Sequence, residues 1–162
     1  MVALTVTYRD PGEPMAGREI INQVLDATPE MYWQCSREEA ASRIFEAAED
    51  IERVEIEARD ESGRLVGYLT AGDDDDPNVG PSLGIQHLYV LPEYRGTIGV
   101  KLISAAVDVA RKANYQIVGY TRRKGEGRFE LRYMRVSKGV PCEEIKEGGS
   151  ESSRPGKHRR TR

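Results

Sequence analysis

The chain has 162 residues, the length of one ordinary domain, and 31% of them are charged, 24 basic against 27 acidic, above the ~25% usual for globular chains. Membrane spans and global disorder are excluded: no stretch approaches the ~18 apolar residues of a spanning helix, and MVALTVTYRD has no basic region leading into an apolar run, so a cytoplasmic protein is expected. Residues 151–162 carry five basic side chains against Glu151, while residues 1–150 hold 19 basic and 26 acidic ones, so the body of the chain lacks the basic footprint of a nucleic-acid-binding domain.

After an entry rich in Pro and Gly (Pro11, Gly12, Pro14, Gly17), Ile20, Ile21, Val24 and Leu25 repeat at helical spacing and predict a short first helix. Ser36 and Glu39 form a capping-box pattern, and Ala40, Ala41, Ile44, Phe45 and Ala48 continue one face, which predicts a second helix over 37–49. Val54, Ile56 and Ala58 alternate with Glu55, Glu57 and Arg59 as in a half-buried strand. The turn chemistry of Asp60–Gly63 makes this strand and Leu65–Thr70 a hairpin. Gly72–Pro81, with four consecutive aspartates, has the composition of an exposed loop, and Leu83–Leu91 returns as a strand ended by Pro92.

Beyond Gly99, the positions Leu102, Ile103, Ala106, Val107 and Ala110 predict an amphipathic helix that ends near Asn114. Gln116–Thr121 and the alternating Phe129, Leu131 and Tyr133 predict two more strands around a Gly125–Gly127 turn, with Tyr133 in the core. Residues 1–138 form the domain on this reading, and 139–162 a flexible, basic tail with few apolar side chains to offset chain entropy. Cys35 and Cys142 have no CxxC spacing, so neither a metal site nor a disulfide framework is expected.

Chemistry concentrates in Leu88–Ile103, where a strand, a Pro-marked break, an arginine and two glycines lead into a helix. Amides at a helix start point outward and the helix dipole adds positive charge, so such a junction can hold a pyrophosphate. By itself the same pattern also describes a tight connection.

These residues resemble the GNAT N-acetyltransferase family, whose central motif is a strand ending V-x-P, then Y-R-G-x-G-x-G, then a helix opening on paired apolar residues. Val90, Pro92, Tyr94, Arg95, Gly96, Gly99, Leu102 and Ile103 fill those places, and the resemblance runs over about residues 2–136. The loop departs from the motif: either it is one residue short, or Ile98 and Val100 replace two glycines. Loss of one charge-assisted hydrogen bond there would cost ~1.5–3 kcal/mol, about 10- to 150-fold in affinity.

The resemblance implies an α/β fold with a mixed, largely antiparallel sheet flanked by helices, and transfer of acetyl from acetyl-CoA to a primary amine of a small molecule or peptide by direct attack. The backbone of Leu88, Tyr89 and Val90 would pair with the pantetheine arm, and amides of Arg95, Gly96, Thr97, Ile98, Gly99 and Val100 would hold the pyrophosphate. The thioester would lie where Leu83–Leu91 splays from Gln116–Thr121.

A lysine-like amine, of pKa ~10.4, costs about 4.6 kcal/mol to neutralise at pH 7, so a base is useful. The family often uses a Glu on the strand before the motif, which this chain lacks. His87 is the titratable group there and the candidate base, and Tyr120 is the candidate acid. The family's helix after the fifth strand is not evident between Arg122 and Gly127. A non-catalytic binding or assembly module with this scaffold stays open as the alternative, as does a homodimer. Met31–Trp33 is expected as core or lid packing near the acceptor, Asp73–Asp76 as a solvated loop, with attraction of a cationic acceptor amine as its alternative role, and Arg154–Arg162 as a solubilising tail with at most weak, salt-sensitive nucleic-acid contact.

Overall fold

The computed structural model describes residues 1–136. The strands β1 (Ala3–Arg9), β2 (Arg53–Arg59), β3 (Leu65–Asp76), β4 (Gly80–Val90), β5 (Ile117–Gly125) and β6 (Arg128–Arg135) form one sheet in chain order. All neighbours are antiparallel except β4 and β5, which run parallel. A parallel pair needs a crossover, supplied here by a 3-10 turn at Pro92–Tyr94 and the helix α3 (Thr97–Lys112). The helices α1 (Ile21–Ala27) and α2 (Arg37–Glu49) lie between β1 and β2 in the chain. The mixed, mainly antiparallel α/β architecture is the one implied by the sequence.

Two apolar layers follow from strand alternation. Val54, Ile56, Leu69, Leu83 and Val118 face Leu102, Ala106, Val109 and Ala110 of α3. On the other side Leu65 and Tyr68 meet Val24, Leu25, Ala40, Ile44 and Ala48 of α1 and α2. Fully burying one such aliphatic side chain contributes about 1.5–3 kcal/mol. The Ser36–Glu39 capping box forms as the sequence predicts: Glu39 N–H donates to Ser36 Oγ at 3.1 Å and Ser36 N–H to Glu39 Oε2 at 2.9 Å.

Four expectations need correction. Strand β2 is buried on both faces, because its charged face pairs internally: Arg53 Nε donates to Glu55 Oε1 at 2.8 Å, and Arg59 reaches Glu57 at 2.7 Å and Glu19 at 2.6 Å. The expected loop over Gly72–Pro81 is the closed end of the β3–β4 hairpin, where Asp73–Asp76 pair with Leu83–Gly80. Alternation sends neighbouring aspartates to opposite faces, and the Asp76 carboxylate closes the turn by accepting the amides of Asn78 and Val79 at 2.7 and 3.3 Å. The third helix starts at Thr97, before Gly99. Phe129, Leu131 and Tyr133 are not core: they are 54%, 52% and 36% exposed, since β6 is the last strand of the sheet and no described element covers that face. The basic tail lies outside the described residues.

Candidate active site at the β4–β5 splay

The parallel pairing of β4 and β5 is short, Leu83 with Val118, Gly84 with Gly119 and Ile85 with Tyr120, and then stops. The cause is local. On the β3 side, Thr70 pairs with His87 while the next residue, Ala71, pairs with Ile85, so Gln86 is an extra residue. Such a bulge bends and twists its strand, and it coincides with the point where β4 leaves β5. From there to Val90, β4 keeps β3 on one edge and has no strand on the other among the described residues. An open edge of this kind offers backbone donors and acceptors to an extended ligand.

That edge leads to the start of α3. Gly96 takes φ +92° as the helix N-cap residue, a conformation that other residues resist. The Arg95 amide donates to Pro92 O at 3.3 Å, and the Val100 amide makes the first helical bond, to Gly96 O at 3.4 Å. The amides of Gly96, Thr97, Ile98 and Gly99 between them have no intrahelical acceptor, as at any helix start. A Cβ added to Gly96 or Gly99 would meet nothing within 4 Å, so the approach is open. Ile98 does not block it: the side chain is buried against Gly67 and Val90 beneath the helix. These outward amides and side-chain-free positions fit a diphosphate.

A cleft of about 300 Å³ runs along the open edge to the arginine before the helix start, lined by Ala27, Thr28, Leu88, Tyr89, Val90, Arg95 and Arg123. Arg95 Nε donates to Val90 O at 3.3 Å, and Tyr94 Oη to Asp60 Oδ2 at 3.2 Å, which ties the loop to the β2–β3 turn. Over the splay, the α1–α2 connection is fastened to the β5–β6 hairpin. Arg123 donates twice to Glu30, at 2.5 and 3.0 Å, and Trp33 Nε1 donates to Glu126 Oε1 at 3.1 Å. The Arg123 hydrogen bonds hold the Glu30 carboxyl below its ordinary range. Trp33 Cη2 lies 2.8 Å from where a Cβ on Gly127 would stand, so a glycine is needed at this φ +65° turn. Trp33 is thus not a core residue: it packs on the β5–β6 turn while remaining 62% exposed.

A second pocket, of about 230 Å³, adjoins the last β4–β5 pair. Paired glycines, Gly84 and Gly119, contribute to its lining, with Asp74 and Asp76 on one side and Thr121 and Leu131 on the other. The Tyr133 hydroxyl donates to Asp76 Oδ2 at 2.7 Å and accepts from Asn78 Nδ2 at 3.2 Å, which joins β6 to the hairpin end. That hydrogen bond keeps the Asp76 carboxyl below its usual range.

Of the two catalytic candidates, His87 is half-buried beside the bulge and lines neither cleft. Burial pushes its imidazole below the ordinary 6.5, so it is neutral at pH 7. Tyr120 lines the second pocket and pairs with Ile85 and with Arg132 of β6. The structure brings Leu88, Tyr89, Val90 and Arg95 to one cleft, with Gly96–Gly99 following Arg95 into the helix, Val100 exposed on its first turn and Tyr120 in the second pocket. The acidic run Asp73–Asp76, weighed in the sequence as an attractor for a cationic amine, supplies Asp73, Asp74 and Asp76 to the second pocket. Sequence reading missed the Glu30–Arg123 fastening, which joins positions 93 residues apart, and Thr70, whose buried hydroxyl has no hydrogen-bond partner among the described residues.

A sheet split beside a helix start, with a cleft along the open strand, can take an extended, diphosphate-bearing ligand. The acetyltransferase (GNAT) family model matches residues 18–126, more than half of the chain, and the chain belongs to that family. It is an acetyltransferase, and its cosubstrate is acetyl-CoA. No curated protein matches it.

Solved structures agree in fold. The GNAT family N-acetyltransferase YhbS from Escherichia coli, in complex with CoA, is 17% identical over 83% of this chain and 83% of its own, with a TM-score of 0.54. An aminoglycoside acetyltransferase from an uncultured soil metagenomic sample is 16% identical over 76% and 82%, with a TM-score of 0.52. The ribosomal-protein-alanine N-acetyltransferase of Brucella melitensis biovar Abortus 2308 is 19% identical over 73% and 79%, with a TM-score of 0.50.

Proposed function

We propose that this acetyltransferase moves acetyl from acetyl-CoA to a primary amine of a small molecule or peptide by direct attack, with no acyl group passing through the protein. The observation that carries this reading is the open β4 edge running from the bulge at Gln86 into the outward amides of Gly96–Gly99. The cosubstrate supplies a thioester, an acyl group already activated toward nitrogen. The backbone of Leu88, Tyr89 and Val90 holds the pantetheine arm in extended form. The Gly96, Thr97, Ile98 and Gly99 amides hold the pyrophosphate, with Arg95 and Val100 flanking them.

The acceptor enters by the Gly84–Gly119 pocket, where Asp74 and Asp76 attract its ammonium form. The amine must lose a proton before it attacks, at a cost of about 4.6 kcal/mol at pH 7 for a lysine-like group. His87, neutral through burial, takes that proton directly or through water. Tyr120, across the splay, donates to the departing thiolate.

One feature favours the non-catalytic alternative: β5 and β6 are joined by the tight Glu126–Gly127 turn, which leaves no helix there to carry the family's acid. Two measurements separate the readings. Acetyl-CoA at a hundredfold excess over its Kd stabilises a specific binder by about 2.7 kcal/mol, so melting should rise clearly; an unchanged melting curve at millimolar acetyl-CoA sinks both readings. Thiol release across a panel of amines then supports transfer, and binding with a flat panel supports the module.

A further inference from the structure

Glu55, Thr70 and His87 stand in one row across three adjacent strands: Glu55 of β2 pairs with Thr70 of β3, and Thr70 with His87 of β4, beside the bulge. Directly opposite residues share a face, and Tyr68, two positions before Thr70, packs in the layer under α1 and α2, so the whole row is on that side of the sheet. Glu55 is 1% exposed and Thr70 fully buried, yet the Thr70 hydroxyl has no hydrogen-bond partner among the described residues. A valine would fill the same space without burying a polar group, so a hydroxyl kept there calls for a partner.

The row offers one on either side. Opposite residues have Cβ atoms about 4.5–5.5 Å apart, so a turn of the Thr70 side chain or of the His87 ring brings hydroxyl and imidazole to hydrogen-bond distance. Toward β2, the Glu55 carboxylate accepts Arg53 Nε at 2.8 Å and the Ala16 amide at 3.1 Å, and it has lone pairs left. Its charge is felt on this face: burial, together with Glu55, pushes the Tyr68 hydroxyl above its ordinary range. Other charged groups on this side are taken up by one another. Arg59 pairs with Glu57, Arg18 with Glu49 and, from β5, Arg123 with Glu30, while Arg9 lies 3.7 and 3.9 Å from Glu55 and Glu57. The Tyr89 hydroxyl, on the same strand as His87, donates to Gln23 O.

We propose that Thr70 is the positioning residue for His87: its hydroxyl accepts the ring N–H and turns its own proton toward the Glu55 carboxylate. This fixes one tautomer, with the other ring nitrogen bare. In the reaction the proton leaves the ammonium of the acceptor for that bare nitrogen, and the imidazolium keeps its first N–H on Thr70, where the bond strengthens with the charge. The catalytic purpose rests on the reading of His87 as the base; the hydrogen bond itself does not.

The experiment is nitrogen-15 NMR titration of the imidazoles in the full chain, alongside the pH dependence of kcat/KM. His158 is the other histidine of the sequence, and His158→Gln assigns the signals. Wild-type His87 should populate one tautomer. Thr70→Val removes an acceptor that favours the charged ring, so the His87 titration should fall by about half a pH unit or more, with both tautomers appearing. In the same variant kcat/KM should drop at least about tenfold at unchanged KM for acetyl-CoA, with its acid limb moving to lower pH. Thr70→Ser, which keeps the hydroxyl, should restore both. A purely structural hydroxyl would alter melting and leave the His87 titration in place. Equal tautomers in the wild type, or a Thr70→Val titration that coincides with wild type, would overturn the proposal whatever the activity. A shifted titration with kcat/KM unchanged in both Thr70→Val and His87→Ala would keep the hydrogen bond but overturn its catalytic purpose, which separates the failure of this inference from that of the base assignment.

Discussion

Arg123 on β5 and Glu30 in the α1–α2 connection are joined by two hydrogen bonds, at 2.5 and 3.0 Å, across the gap where β4 and β5 part. The pair fastens one wall of the cleft to a segment from the far side of the sheet. Substitution of Arg123 by Ala should loosen that segment. Because Trp33 is the only tryptophan and sits in the same segment, its emission should shift to longer wavelength. Global melting should fall only slightly, as a partly exposed pair contributes ~1 kcal/mol or less. The fastening is also pH-dependent. Glu30 has its carboxyl lowered by Arg123, so the contribution is complete above the ordinary carboxylate range and fades as pH drops through the lowered folded value. A Trp33 spectrum unmoved by Arg123→Ala would remove the fastening role.

The start of α3 offers a test in which helix stability and ligand affinity move apart. An acidic residue in the first turn of a helix adds ~0.3–1 kcal/mol through the dipole, and a side chain at Gly99 meets open space. Gly99→Asp should thus leave the unliganded protein as stable as before or slightly more so. The new carboxylate would repel a diphosphate, and acetyl-CoA affinity should fall more than about tenfold. Calorimetric titration checks the second point; undiminished affinity would move the diphosphate elsewhere.

For His87, the sign of the pH effect follows from burial. Its folded value lies below 6.5, so the unfolded chain binds a proton more readily, and stability declines as pH falls below about 6.5. If His87 is the base, kcat/KM should decline as pH falls through the lowered value of the folded imidazole. His87→Ala should lower the rate by about 10²–10⁴-fold, the usual contribution of a positioned base, and erase this limb. A variant with an unchanged pH–rate profile would leave water alone to take the proton.

Asp74 lines the proposed acceptor pocket beside Gly84, where a Cβ on the glycine would stand 3.0 Å from the aspartate Cβ. Asp74→Asn keeps the shape and removes the charge. The KM for a cationic acceptor should rise about tenfold with a smaller change in kcat, and its salt dependence should flatten. Equal KM values for variant and wild type at low salt would place the acceptor elsewhere.

Most of the scaffold was legible in the chain because its signals are local. The Ser36–Glu39 box is read from residues three apart, α3 from the Leu102–Ala110 stripe, and the helix-start cradle from Gly96 and Gly99 beside Pro92. Asp73–Asp75 are exposed, as four like charges suggest, but the run is strand and not loop, because each aspartate finds a backbone partner in β4 once the hairpin closes. Phe129, Leu131 and Tyr133 misled: alternation reports which residues share a face, and only the neighbours of that face decide whether it is covered.

By itself, then, the amino-acid order determined the kinds of element, their sequence and the loop that opens α3, all of which depend on dihedral preference and spacing within a few residues. The tertiary structure alone decided where the sheet splits, that Glu55 and Glu57 are buried among arginines, and that Glu30 reaches Arg123. Those outcomes depend on which distant segments lie side by side, and the split itself falls at the one-residue bulge at Gln86.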